Sequence, residues 1–179
     1  MDTALDSAMV LTLTGDDRPG VVEQVAQRVA ARQGRWLKSE FSCLDGKFAG
    51  IVQIEVPLAE RRTLMRDLEA LAGKHLRLQI GDGHPAPVAG SYPLTLRFVG
   101  MDRRGVVTEI SAILARYGVS IRSLNSRCVP APMSSELLFQ AEFQVQVPLK
   151  VGCHQLCDAL EALTPELMVD WETQTAVAM

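Results

Sequence analysis

The chain has 179 residues, 47% of them hydrophobic and 22% charged, with a formal net charge of −3. That is enough apolar material for one medium or two small packed cores, and too much for a disordered chain. Residues 1–90 carry 11 basic and 12 acidic side chains and residues 91–179 carry 7 and 9, so neither half has the basic excess that binding a nucleic-acid backbone needs.

In chain order, Met9–Thr14 is a short apolar and β-branched run that predicts a strand. Val21, Val22, Val25, Ala26, Val29 and Ala30 share one helical face, and Gly34 is expected to end that helix in the usual C-terminal manner. Trp36–Leu44 and Phe48–Val56 predict two strands joined by Asp45-Gly46, a hairpin-turn dipeptide. Leu64, Met65, Leu68, Leu71 and Ala72 mark a second helix, and Leu76–Ile80 alternates as a last strand. A stretch rich in proline and glycine follows at residues 81–93 and reads as a linker. The same order then returns: strand Leu94–Val99, helix Val106–Tyr117, strands Ser120–Val129 and Glu136–Val147 around a longer hairpin at 130–135, helix Cys153–Leu163, strand Met168–Glu172.

The second half repeats the first in detail. Gly15, Asp17, Arg18, Gly20, Val21 and Val22 fall on Gly100, Asp102, Arg103, Gly105, Val106 and Val107 at a constant offset of 85. Arg32-Gln33-Gly34 answers Arg116-Tyr117-Gly118, and Val56-Pro57-Leu58 answers Val147-Pro148-Leu149. Matches in the same order indicate a duplication. The expected fold is α+β, two tandem ferredoxin-like βαββαβ domains, each an antiparallel sheet with its helices on one face. The domains are expected at 1–82 and 92–179, with 83–91 as the linker.

The residues with the most chemistry sit in the loop before the first helix of each copy, D-D-R-P-G-V-V and M-D-R-R-G-V-V. Gly20 and Gly105 allow close approach of the backbone to a ligand or a neighbouring strand. The helix that follows offers free N–H groups and the positive end of its dipole to a carboxylate. Arg18 or Arg103 would add a charged contact, and Asp17 or Asp102 would cap the helix or accept an ammonium. Two readings stand side by side at this point: a capped helix start with a tight turn, or a loop that holds a zwitterion by both ends.

The repeat, its D-R-x-G-V-V loop and the G-V-S-I at Gly118–Ile121 resemble the ACT domain family. The two-copy arrangement is similar to the glycine cleavage system transcriptional repressor family. The resemblance implies an effector site for a small amino acid, glycine or serine first, formed by the Asp17–Val21 and Asp102–Val106 loops with an adjoining ACT domain. It implies action through a partner, either a DNA-bound regulator or, in the alternative, a metabolic enzyme that the chain serves as effector subunit. Family members often carry an asparagine after the glycine that ends the first helix. Here Ser120 holds that place in the second copy and Trp36 crowds it in the first, with Asn125 further along the strand as an exposed residue or a substitute ligand.

The other candidates read as structure. Cys153 and Cys157 lie at helical spacing with Leu156, Leu160 and Leu163, on an apolar stripe. Cys43 and Cys128 are equivalent and read as symmetric packing. His75, His84 and His154 have no partner at motif spacing, and no nucleotide fingerprint or zinc set is present, so no cofactor is expected. Acylphosphatases share this fold, but the loop lacks a phosphate-cradling glycine run, so no enzyme is expected. The sheet aromatics Trp36, Trp171, Phe41, Phe48, Phe98, Phe139 and Phe143 read as core or interface, and Glu60-Arg61-Arg62 as a solvated face. With no apolar run near ~20 residues and no basic cluster in Met1–Met9, the protein is expected in the cytoplasm with reduced thiols. The edge strands of such open sheets favour packing of the two copies on each other, and a homodimer.

Overall fold

Met9, Leu11 and Leu13 alternate with Val10, Thr12 and Thr14, and the period of two sorts them onto opposite faces of β1 (Asp6–Asp16). The first three are wholly buried and the second three are not. In the computed structural model, which describes residues 6–73, 75–83, 90–132, 136–163 and 166–173, the same patterning builds two units, residues 1–86 and 87–179.

The first unit continues through α1 (Val21–Ala31), β2 (Arg35–Leu44), β3 (Lys47–Pro57), α2 (Leu58–Glu69) and β4 (Leu76–Asp82). Its antiparallel sheet has the order β2-β3-β1-β4. Val25 and Val29 of α1 and Leu64 and Leu68 of α2 close over Met9, Leu11, Leu13, Val52, Ile54 and Val56. Arg32 at the end of α1 ties the two helices through Asp67, 2.7 Å away, and Glu60. Asp45 and Gly46 both have positive φ, 49° and 72°, as the tight hairpin requires.

The second unit repeats the order: β5 (Ser91–Met101), α3 (Val106–Arg116), β6 (Ser120–Pro130), β7 (Leu137–Pro148), α4 (Cys153–Leu163) and β8 (Leu167–Thr173), in a sheet β6-β7-β5-β8. Phe98 and Phe143 meet edge to face, centroids 5.4 Å apart, among Leu94, Leu96, Ile110, Leu114, Leu156 and Leu160. The duplicated ferredoxin-like fold is thus as expected from the repeat.

Four expectations need correction or qualification. Gln33, not Gly34, takes the left-handed conformation that ends α1, with φ 57°, and its counterpart is Gly118 at φ 68°. Gly34 is glycine for space: a Cβ there would lie 2.7 Å from Val29 Cγ1 and 2.9 Å from its carbonyl oxygen. Ser91, expected in the linker, opens β5, while 84–89, with His84, lie outside the described residues, as do 133–135 of the longer hairpin and 164–165. Arg61 is not a solvated residue: it bonds Ser7 and Asp82 and so ties α2 to β1 and β4. Phe41 and Trp171 are each 37% exposed rather than core.

Candidate functional site

The two strand-to-helix loops are built alike. Each follows a glycine pressed against the turn that enters the unit's last strand. A Cβ on Gly15 would lie 2.1 Å from the His75 carbonyl oxygen, and one on Gly100 would lie 2.3 Å from that of Glu166. The loop is then clamped to the unit's hairpin: the Asp17 N–H donates to the Gly46 carbonyl and the Asp102 N–H to the Leu137 carbonyl, both at 2.9 Å. Gly20 and Gly105 start the helices at φ 90° and 89°, in the left-handed region that side chains beyond glycine enter only with strain. Their carbonyls accept the N–H of Gln24 and Glu109 at 3.0 Å. Val106 is buried and Val21 packs on the core, so these two valines offer a ligand their main-chain N–H groups only.

Neither helix start has a side-chain cap. The expectation that Asp17 or Asp102 caps the helix is therefore corrected: each carboxylate instead faces a thiol, Cys43 on β2 or Cys128 on β6. Both cysteines are exposed rather than packed. Partial loss of water around the sulfur, then the facing aspartate, push both thiols up. They are poor nucleophiles in this state.

The charged groups around the loops differ between the units. Arg103 grips Glu109 with both fork nitrogens, at 2.7 and 2.5 Å, and its buried Nε lies 3.4 Å from the Glu166 carboxylate. That guanidinium holds the Glu109 carboxyl below the usual carboxylate range. Arg18 is exposed and has no ion pair among the described residues. In its unit the acid is one place earlier: Asp16 accepts from Lys47 Nζ at 2.8 Å and lies 2.9 Å from His75 Nδ1. Those contacts, Lys47 first, lower the Asp16 carboxyl to about 2. Sequence reasoning passed over Asp16, Gln24, Glu109 and Glu166, and it named His75 without the Asp16 partner that the fold gives it. The signal lay in the repeat itself, at the positions where the two copies disagree.

Ser120 is not at this loop. It pairs with Gln146, which pairs with Pro93 at the start of β5, whereas Asp102 follows the end of β5. Eight strand residues separate the two places, roughly 26 Å. The register also puts Arg35, not Trp36, in the position of Ser120, because Arg35 pairs with Glu55 as Ser120 pairs with Gln146, and Trp36 matches Ile121. Asn125 lies midway along the edge strand β6, on the helix-free face, beside Arg97, Arg127, Gln140 and Glu142 in an open depression of about 490 Å³. Arg97 there is held by Glu142 and Glu172. Cys157 is buried on the apolar stripe, as expected, and burial, with the neighbouring Cys153 next, pushes its thiol up to about 12. His154 stacks edge-on against Trp171. Among the described residues no group of three or more His, Cys, Asp or Glu could hold a metal ion, and no helix is long and apolar enough to cross a membrane.

Residues 7–80, spanning β1 to β4, match the family model of the ACT domain. The first unit is an ACT domain. The second repeats its element order, strand order and left-handed glycine, so the chain has a tandem ACT architecture. Among solved structures, an unknown protein from Galdieria sulphuraria superposes with a TM-score of 0.84 at 24% identity, over 96% of this chain and 100% of the other. A protein provisionally assigned as a glycine cleavage system transcriptional repressor superposes at 0.69 and 17% identity, over 95% and 99%. At these identities the likeness is one of fold. No curated protein matches the chain in sequence.

Proposed function

We propose that this ACT pair is an amino-acid-sensing regulator that takes a small amino acid at a strand-to-helix loop and acts through protein contact. The target is transcription of glycine cleavage or related amino-acid metabolism, through a DNA-bound regulator. The observation that carries the reading is the left-handed glycine opening α1 and α3 behind a D-R-x-G-V-V loop. Each such start turns several unpaired N–H groups outward beside an arginine and an aspartate. A zwitterion presents a carboxylate and an ammonium a few ångströms apart, and this loop has a partner for each. No catalytic step is assigned to the chain. Edge strands of open sheets carry unpaired backbone groups, so pairing of two chains belongs to the same reading.

A thermal-shift series across the twenty amino acids at millimolar concentration tests it. Glycine or serine is expected to raise the melting temperature, since a ligand at a hundred times its dissociation constant adds about 2.7 kcal/mol to the folded state. No shift with any amino acid removes the sensing role.

A further inference from the structure

The two loops are duplicates in backbone but not in charge, and the differences are coordinated. Where the first unit has Asp16, Gln24 and His75, the second has Met101, Glu109 and Glu166 at the matching positions: the first two pairs share the offset of 85, and His75 and Glu166 are the residues pressed against Gly15 and Gly100. In the first unit His75 is satisfied by Asp16, and position 24, one turn into the helix, holds an uncharged amide. Arg18 is thereby left exposed. In the second unit Met101 offers no such acid. Arg103 is drawn down between Glu109 on the first turn of α3 and Glu166 ahead of β8, with its Nε buried. Glu109 is thus a carboxylate, tethered to the helix start, that already occupies both fork nitrogens of the loop arginine.

We propose that Glu109 is a built-in occupant of the second loop, so that an effector carboxylate is taken at Arg18 and excluded from Arg103. This rests on the reading above that the loops take an amino acid. The residue at position 24 or 109 then decides which ACT domain answers the effector: glutamine leaves the arginine available and glutamate satisfies it from within. A tethered carboxylate competes at high effective concentration, whereas a free amino acid competes at its solution concentration. The tandem pair accordingly has one sensing loop and one closed loop.

Titration calorimetry of the full chain with glycine, and separately with serine, tests this, using wild type, Arg18→Gln, Glu109→Gln and Arg103→Gln, each checked for an intact fold by circular dichroism. The expected result is one equivalent bound per wild-type chain, at least a tenfold loss of affinity in Arg18→Gln, no change in Arg103→Gln, and a second equivalent in Glu109→Gln. The combination Arg18→Gln with Glu109→Gln should retain the new equivalent alone. Two equivalents in wild type, loss through Arg103→Gln rather than Arg18→Gln, or a Glu109→Gln chain still at one equivalent would each overturn the inference while leaving the sensing role standing. If neither wild type nor Glu109→Gln binds either amino acid, the sensing role falls and the inference with it.

Discussion

At the scale of single residues, glycine serves two purposes in the same loop, and they predict different costs. Gly105 has open space where a Cβ would point, with no atom within 4 Å, but a φ of 89°. Gly100 has no such dihedral constraint, but its Cβ would sit 2.3 Å from a backbone oxygen and 2.6 Å from Leu167 Cδ2. Gly105→Ala therefore meets only backbone strain, about 1–2 kcal/mol. Gly100→Ala must push β5 away from the turn before β8, and overpacking of that kind reaches roughly 3 kcal/mol or more. Urea unfolding of both variants, followed by the fluorescence of Trp171 on β8, is expected to rank Gly100→Ala as the more damaging. The reverse order would show that the strand end yields easily and that handedness is the stricter demand.

At the scale of elements, the acid cluster of the first unit joins three strands at one end of the sheet. Asp16 closes β1, Lys47 opens β3 and His75 immediately precedes β4. The Asp16 carboxyl stands at about 2 in the folded unit against an ordinary 3.8. Because the folded value is the lower one, the ionised carboxylate favours folding. Its contribution is complete above about pH 3.8 and is lost as the pH falls toward 2. Thermal unfolding of wild type and Asp16→Asn between pH 5 and pH 2 should show a gap that narrows on acidification and closes near the bottom of the range. A gap independent of pH would mean that Asp16 acts by shape rather than charge. The second unit has Met101 in this place and uses Arg103 with its two glutamates instead, so the same junction is closed by a different set of charges.

At the scale of the whole molecule, charge bears on the proposed mode of action. With a net charge of −3 shared between two nearly balanced halves, the chain lacks the excess of Lys and Arg whose counterion release drives DNA binding. A mobility-shift assay with the purified protein as sole component, at physiological salt, is expected to show no sequence-dependent complex below micromolar concentration. A tight complex under those conditions would replace action through a partner with direct binding.

The duplication, the order of elements and the loop carrying Asp17, Arg18, Gly20 and their counterparts were legible in the chain alone. Hydrophobic periods, turn dipeptides and a constant offset are properties of residues near one another in sequence. What the sequence could not decide was the work of each glycine and the partner of each charge. Gly34 looked like a helix end because a glycine needed for φ and a glycine needed for space are the same letter; only the proximity of Val29 to β2 separates them, and it moves the left-handed residue to Gln33. Ser120 holds a family position, and only the register of β5, β7 and β6 shows that it stands at the opposite end of its own sheet from the Asp102 loop. Arg18 and Arg103 are identical as residues. Their difference arises where the approach to the last strand meets the start of the first helix, bringing His75 to Asp16 in one unit and Glu166 to Arg103 in the other. Such pairings join residues about 60 apart in the chain, and only folding brings their charges within a few ångströms of each other.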